Sequence, residues 1–103
     1  MPVGQIRFAE SALADLEEVL AWYAEQGVPE VGKRLVTEVF ERVELLALHP
    51  DLGRMVPEFD TPNLRELIHS PFRIVYRHDA QREADRIVVV RVWRSERLLR
   101  LPD

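Results

Sequence analysis

Residues 64–97 place an arginine beside nearly every short apolar run: Arg65, Arg73, Arg77, Arg91, Arg94 and Arg97. A guanidinium can grip a carboxylate or a phosphate through paired hydrogen bonds, and it stacks on aromatic rings. A surface bearing several of them suits an acidic protein partner or a nucleic-acid backbone. The plainer reading is a solvated sheet face balanced by Glu66, Glu83 and Glu96. Other chemistries have less support. Ser70 and Ser95 have no evident His and Asp partners for nucleophilic catalysis. His78 and Asp79 are adjacent, and neighbours on a strand face opposite ways. Tyr76 alternates with Phe72 and Ile74, which reads as core.

These residues sit on three expected strands. Phe72, Ile74 and Tyr76 alternate with Arg73, Val75 and Arg77, and residues 87–93 are almost continuously β-branched. Val88, Val90 and Val92 are expected on one side of the last strand, with Ile87 and Val89 on the other, so both its faces are covered. Residues 3–8 read as a first strand. A 3.6-residue period then takes over: Ala12, Leu13, Leu16, Val19, Leu20 and Tyr23 form one helical stripe, with Asp15, Glu17, Glu18 and Glu25 on the other side. Gly27 and Pro29 end that helix. A second helix spans residues 30–49, with Val31, Leu35, Val39, Val43 and Leu46 inward. Pro50 breaks it, residues 50–54 form a turn, and residues 55–63 form an ordered loop. Arg54 is placed to hold that turn through a carboxylate.

The expected fold class is α+β: β-α-α-β-β-β, a helical hairpin packed on one face of a small, mainly antiparallel sheet. Residues 1–103 suffice for one domain with a buried core. There is no cysteine, and His49, His69 and His78 do not repeat at ligand spacing, so neither a metal nor another cofactor is expected. No apolar run reaches membrane-spanning length and no leader pattern opens the chain, which makes cytoplasmic localisation the expectation. Net charge is −4, against bulk attraction to nucleic acid. The charge is polarised: residues 1–51 hold 4 basic and 10 acidic side chains, and residues 52–103 hold 10 and 8. Lys33 is the one lysine.

Taken together, several segments resemble the RelE/ParE superfamily, the toxins of bacterial type II toxin–antitoxin modules. They are residues 12–16 (ALADL), Leu46 before Pro50, Gly53-Arg54, residues 65–67 (REL), residues 72–77 (FRIVYR), and Val92-Trp93 with Arg97. The resemblance covers essentially the whole chain, and its fold agrees with the element order above. It implies one of two activities. RelE-like members are ribosome-dependent endoribonucleases that cut mRNA with basic and tyrosine side chains and no metal. ParE-like members, associated with plasmid stabilisation, poison DNA gyrase.

Where RelE-like nucleases carry strand lysines, this chain has Leu64 and Glu66. The strand arginine is present as Arg73. The arginine after the last strand falls at Ser95, and the terminal tyrosine falls near Leu101. A phosphorane transition state needs cations around it, and Glu66 facing it would repel the substrate. The ParE-like reading follows, with no catalytic residues of its own. Arg94 stands where many ParE-like chains have histidine. Were the chain a ribonuclease, Arg73, Tyr76, Arg94 and Arg97 would carry the reaction. A non-toxic, antitoxin-binding relative is the third possibility.

On the ParE-like reading, Arg65, Arg73, Arg77, Arg94 and Arg97 meet the target. The resemblance also implies a cognate antitoxin, ParD-like or similar, whose disordered segment orders on binding. Trp22, Val36 and Phe40, on the outer face of the helical hairpin, are the expected contact. Packing under the 55–63 loop is the alternative for them.

Overall fold

A computed structural model describes residues 6–59, 61, 63–84 and 86–94. The elements are β1 (Ile6–Phe8), α1 (Glu10–Glu25), α2 (Pro29–Glu44), a 3-10 turn (Leu45–Ala47), β2 (Arg54–Met55), β3 (Leu64–His69), β4 (Phe72–His78) and β5 (Ile87–Arg94). They form a five-stranded sheet in the order β1-β5-β4-β3-β2. Only the β1–β5 pair is parallel; β2 through β5 pair antiparallel. The α+β architecture is therefore the expected one, with the helical hairpin on one side of the sheet. The expectation for residues 3–5 lies outside the described residues.

Local sequence explains the hairpin. Gly27 stops α1 in the left-handed region at φ 81°, where a glycine carries no Cβ penalty. Pro29 opens α2 at a position whose N–H has no helical partner. The two helices then cross at Gly32, where a Cβ would stand 3.0 Å from the Tyr23 Cβ. Ala12, Leu16, Val19, Leu35, Val39 and Val43 turn inward onto Leu67, Phe72, Ile74, Tyr76, Ile87 and Val89. Burying large apolar side chains at about 1.5–3 kcal/mol each is the main force holding helices to sheet. Among the described residues no helix is long and apolar enough to cross a membrane.

Three local expectations change. The second helix tightens into a 3-10 turn after Glu44 rather than running to His49. The two-residue β2 extends the sheet beyond the strands read from the sequence. Most consequentially, β5 does not alternate regularly. Tyr76 pairs with Val89 and Val75 with Arg91, which leaves Val90 extra. This bulge shifts the phase of the strand, so Val92 joins Ile87 and Val89 in the core facing the helices.

Candidate functional site

The arginines separate into three environments. On the sheet face away from the helices, the β3–β4 hairpin turns through Ser70-Pro71 and pairs Glu66 with Val75 and Arg73 with Ile68. Glu66 and Arg73 are diagonal neighbours, and both are buried, at 1% and 5% exposure. The Arg73 Nε donates to Glu66 Oε1. The two Arg73 terminal nitrogens donate to Glu58, at 2.7 and 2.5 Å. Arg54 Nε donates to the other Glu66 oxygen at 2.6 Å. Two carboxylates and two guanidiniums thus tie the 54–58 segment to the sheet. The Arg73 hydrogen bonds hold the Glu58 carboxyl down to about 2, well below the usual carboxylate range. The same bonds, Glu58 first, raise the Arg73 pKa further.

This geometry corrects one step of the sequence argument. Glu66 does not face solvent where it would repel a phosphate; it neutralises Arg73 and Arg54. Arg73 points into this network and not toward an open surface. As expected from Gly53-Arg54, Arg54 anchors its turn through a carboxylate.

A second cluster secures the 50–54 turn. The Tyr76 ring is fully buried. Its hydroxyl donates to the Pro50 carbonyl at 2.7 Å and accepts the Gly53 N–H at 2.9 Å. Burial pushes the phenol's pKa up. Arg65 donates to the Gly53 carbonyl at 2.7 Å and lies 3.5 Å from Asp51, which also stands 3.3 Å from His78 Nδ1. Gly53 is required here because a Cβ would sit 2.5 Å from the Glu66 carbonyl oxygen and 2.8 Å from the Tyr76 ring. Tyr76 is a core residue with a satisfied hydroxyl.

The third environment is the α1–β5 side. Asp15, expected on the wet face of α1, is 8% exposed. It accepts Arg91 through both oxygens, at 2.8 and 2.9 Å, and the Val92 N–H at 2.8 Å. Ser11 donates to the Val90 carbonyl at 2.6 Å. The α1 side chains thereby bond β5 backbone groups at Val90 and Val92, past the end of the β1 pairing at Val89. The signal for Asp15 was available: it lies three residues after Ala12 and four before Val19, within the buried stripe. The Arg91 hydrogen bond to Asp15 raises the arginine's pKa. Arg91 also stacks on Trp93 at 4.9 Å, and Arg94 lies over Trp22 at 5.5 Å and 3.4 Å from the Tyr23 hydroxyl.

Of the predicted target-facing arginines, Arg65, Arg77 and Arg94 are half-exposed and Arg73 is enclosed; Arg97 lies outside the described residues. Of the predicted antitoxin contacts, Trp22 is 49% exposed beside Arg94, whereas Phe40 is 38% exposed and packs on Phe8 at 4.7 Å. Val36 is half-buried against the core. The two rings therefore have different neighbours. Among the described residues no group of three or more His, Cys, Asp or Glu side chains is placed to hold a metal.

No curated protein sequence matches the chain. A solved structure described as the chromosomal ParDE TA system from P. aeruginosa has the same fold, with a TM-score of 0.69 at 23% identity. The match covers 91% of this chain and 98% of that one. The family model for the ParE toxin of the type II toxin–antitoxin system parDE matches residues 6–99. With that match running from β1 through β5 and beyond, the chain belongs to the ParE toxin family.

Proposed function

We propose that this chain is a toxin that inhibits DNA gyrase by binding, and that a cognate ParD-like antitoxin neutralises it. The observation that carries the non-catalytic part is the enclosure of Arg73. It is the one cation retained from the RelE-like ribonuclease pattern, and Glu58 and Glu66 already occupy its donors. Tyr76, the other candidate on β4, has its hydroxyl committed to Pro50 and Gly53. Neither group is free to stabilise or deprotonate a ribose-phosphate. Arg65, Arg77 and Arg94 are half-exposed cations available to meet the target, and Arg97 is a further candidate from the sequence. Trp22 and Phe40 supply exposed aromatic area of the kind an ordering antitoxin segment anchors on. Val36 supports the Phe40 side of that surface. Gyrase acts on chromosomal DNA, which places this activity in the cytoplasm.

The test is a supercoiling assay with purified gyrase, run beside a translation reaction scored for mRNA cleavage. The expected result is loss of supercoiling with intact mRNA, relieved by the antitoxin. Ribosome-dependent cleavage with supercoiling untouched would replace this reading with the ribonuclease one. Growth unaffected by induction, with both assays silent, would point to the non-toxic relative.

A further inference from the structure

From solvent inward, the charges around the 54–58 segment are layered. The Glu58 side chain is 38% exposed, that of Arg73 is 7% and that of Glu66 is 0%. Glu66 accepts the Nε of Arg73 on one oxygen and the Nε of Arg54 on the other. Glu58 meets the outward end of Arg73, one hydrogen bond on each carboxylate oxygen, at 2.7 and 2.5 Å. That end-on, two-pronged grip is how a guanidinium holds a carboxylate or a phosphate. Charge points the same way. Two guanidiniums share the one buried carboxylate of Glu66, and Glu58 brings the balancing negative charge from the solvent side. Arg54 lies near enough for its charge also to favour the Glu58 carboxylate.

The strap that carries Glu58 is fixed by other groups. Val56 is 2% exposed, Arg54 is bonded to Glu66, and Tyr76 and Arg65 hold the backbone of Gly53. The Glu58 side chain can therefore swing into water while residues 50–56 stay in place. It is an oxyanion on a flexible stem, seated where its own withdrawal exposes a fork of donors. We propose that the outward end of Arg73, with the Arg54 charge beside it, is a binding site for the phosphate or carboxylate group of an incoming molecule, and that Glu58 is its built-in competitor. A tethered carboxylate competes at an effective concentration of about a millimolar or more. Free oxyanions thus bind the parent chain weakly, and removing Glu58 strengthens them. In the resting chain Glu58 keeps Arg73 closed to phosphates; an oxyanion that outcompetes it reaches the fork.

The test compares the full chain with its Glu58→Ala and Glu58→Gln variants, using inorganic phosphate and propionate as probes at constant ionic strength. Binding is read by isothermal titration and by the Arg73 Nε–H resonance in nitrogen-edited NMR, a proton that Glu66 holds in all three chains. Glu58→Ala should bind at least one probe about tenfold more tightly than the parent, with the Arg73 resonance moving along the same curve. Glu58→Gln keeps the stem without the charge and should gain in the same direction, which preserves the test if the alanine variant folds poorly. A gain for phosphate alone supports the proposal and assigns the site to a phosphorylated ligand. A gain for propionate alone supports it and assigns the site to an acidic side chain or chain terminus. Equal affinities in the parent and both variants overturn it. So does tighter binding that leaves the Arg73 resonance in place, because another arginine would then hold the anion. Both readouts use the isolated chain without gyrase or antitoxin, so their failure is separate from failure of the proposed function.

Discussion

Asp15 on α1 holds β5 just past its bulge, accepting the Val92 amide at 2.8 Å while its two oxygens grip Arg91. One carboxylate thus ties α1 to β5 beyond the point where the β1 pairing ends, at Phe8 and Val89. Asp15→Ala should destabilise the fold by about 2–4 kcal/mol, because it strands a buried N–H and removes a charge-assisted pair. Asp15→Asn keeps an acceptor for Val92 and should cost roughly half as much. Urea denaturation distinguishes the two. Equal losses would mean that the ion pair with Arg91, rather than the amide bond, carries the effect.

Tyr76 tests catalysis and stability separately. Removing its hydroxyl leaves the buried Gly53 N–H without its acceptor, a cost of about 1–3 kcal/mol. Tyr76→Phe should lower the unfolding midpoint accordingly. Below that midpoint it should leave inhibition of supercoiling intact. A variant that folds stably yet loses toxicity would give the hydroxyl a functional role that its two backbone partners do not suggest.

The order of elements was legible because apolar periods of two and 3.6 do not resemble each other. The β5 bulge was not, since residues 87–90 are all β-branched and apolar, and such a run conceals a change of phase. The Glu66–Arg73 pair was within reach of the sequence. A two-residue turn at Ser70-Pro71 fixes Glu66 opposite Val75, which makes Arg73 its diagonal neighbour. Reading each arginine singly as solvated hid that. Glu58 could not have been found this way, because it arrives from a loop whose path no periodicity constrains. The sequence therefore located the arginines but not which of them point inward.

Two glycines should respond to alanine for different reasons. At Gly53 the new Cβ would meet backbone at 2.5 Å, so the turn or β3 must move. At Gly27 nothing lies within 4 Å, and the penalty is only the left-handed φ of 81°. Gly27→Ala should cost about 1–2 kcal/mol. Gly53→Ala should cost more, up to about 3 kcal/mol, with displacement of the Tyr76 hydroxyl contacts. Thermal melts of both variants give the order. A smaller loss at Gly53 would mean that the 50–54 turn shifts away from β3 with little resistance.

Glu58 makes a specific prediction at acid pH. Its folded pKa, about 2, lies below the ordinary 4.5 because Arg73 favours the carboxylate. A depressed carboxylate stabilises the fold above its unfolded pKa and loses that contribution as pH falls through the folded one. The window is therefore about pH 4.5 down to about pH 2. The Glu58 side chain is 38% exposed, so solvent screening holds the benefit to about 1 kcal/mol or less at neutral pH. Glu58→Gln should be less stable than the parent by that amount at neutral pH, and the two should converge as both approach pH 2. Denaturation curves measured across this range decide it. A gap that persists unchanged at the acid end would mean that the glutamine loses shape complementarity to Arg73 rather than charge, and that the 54–58 segment is held chiefly by Glu66.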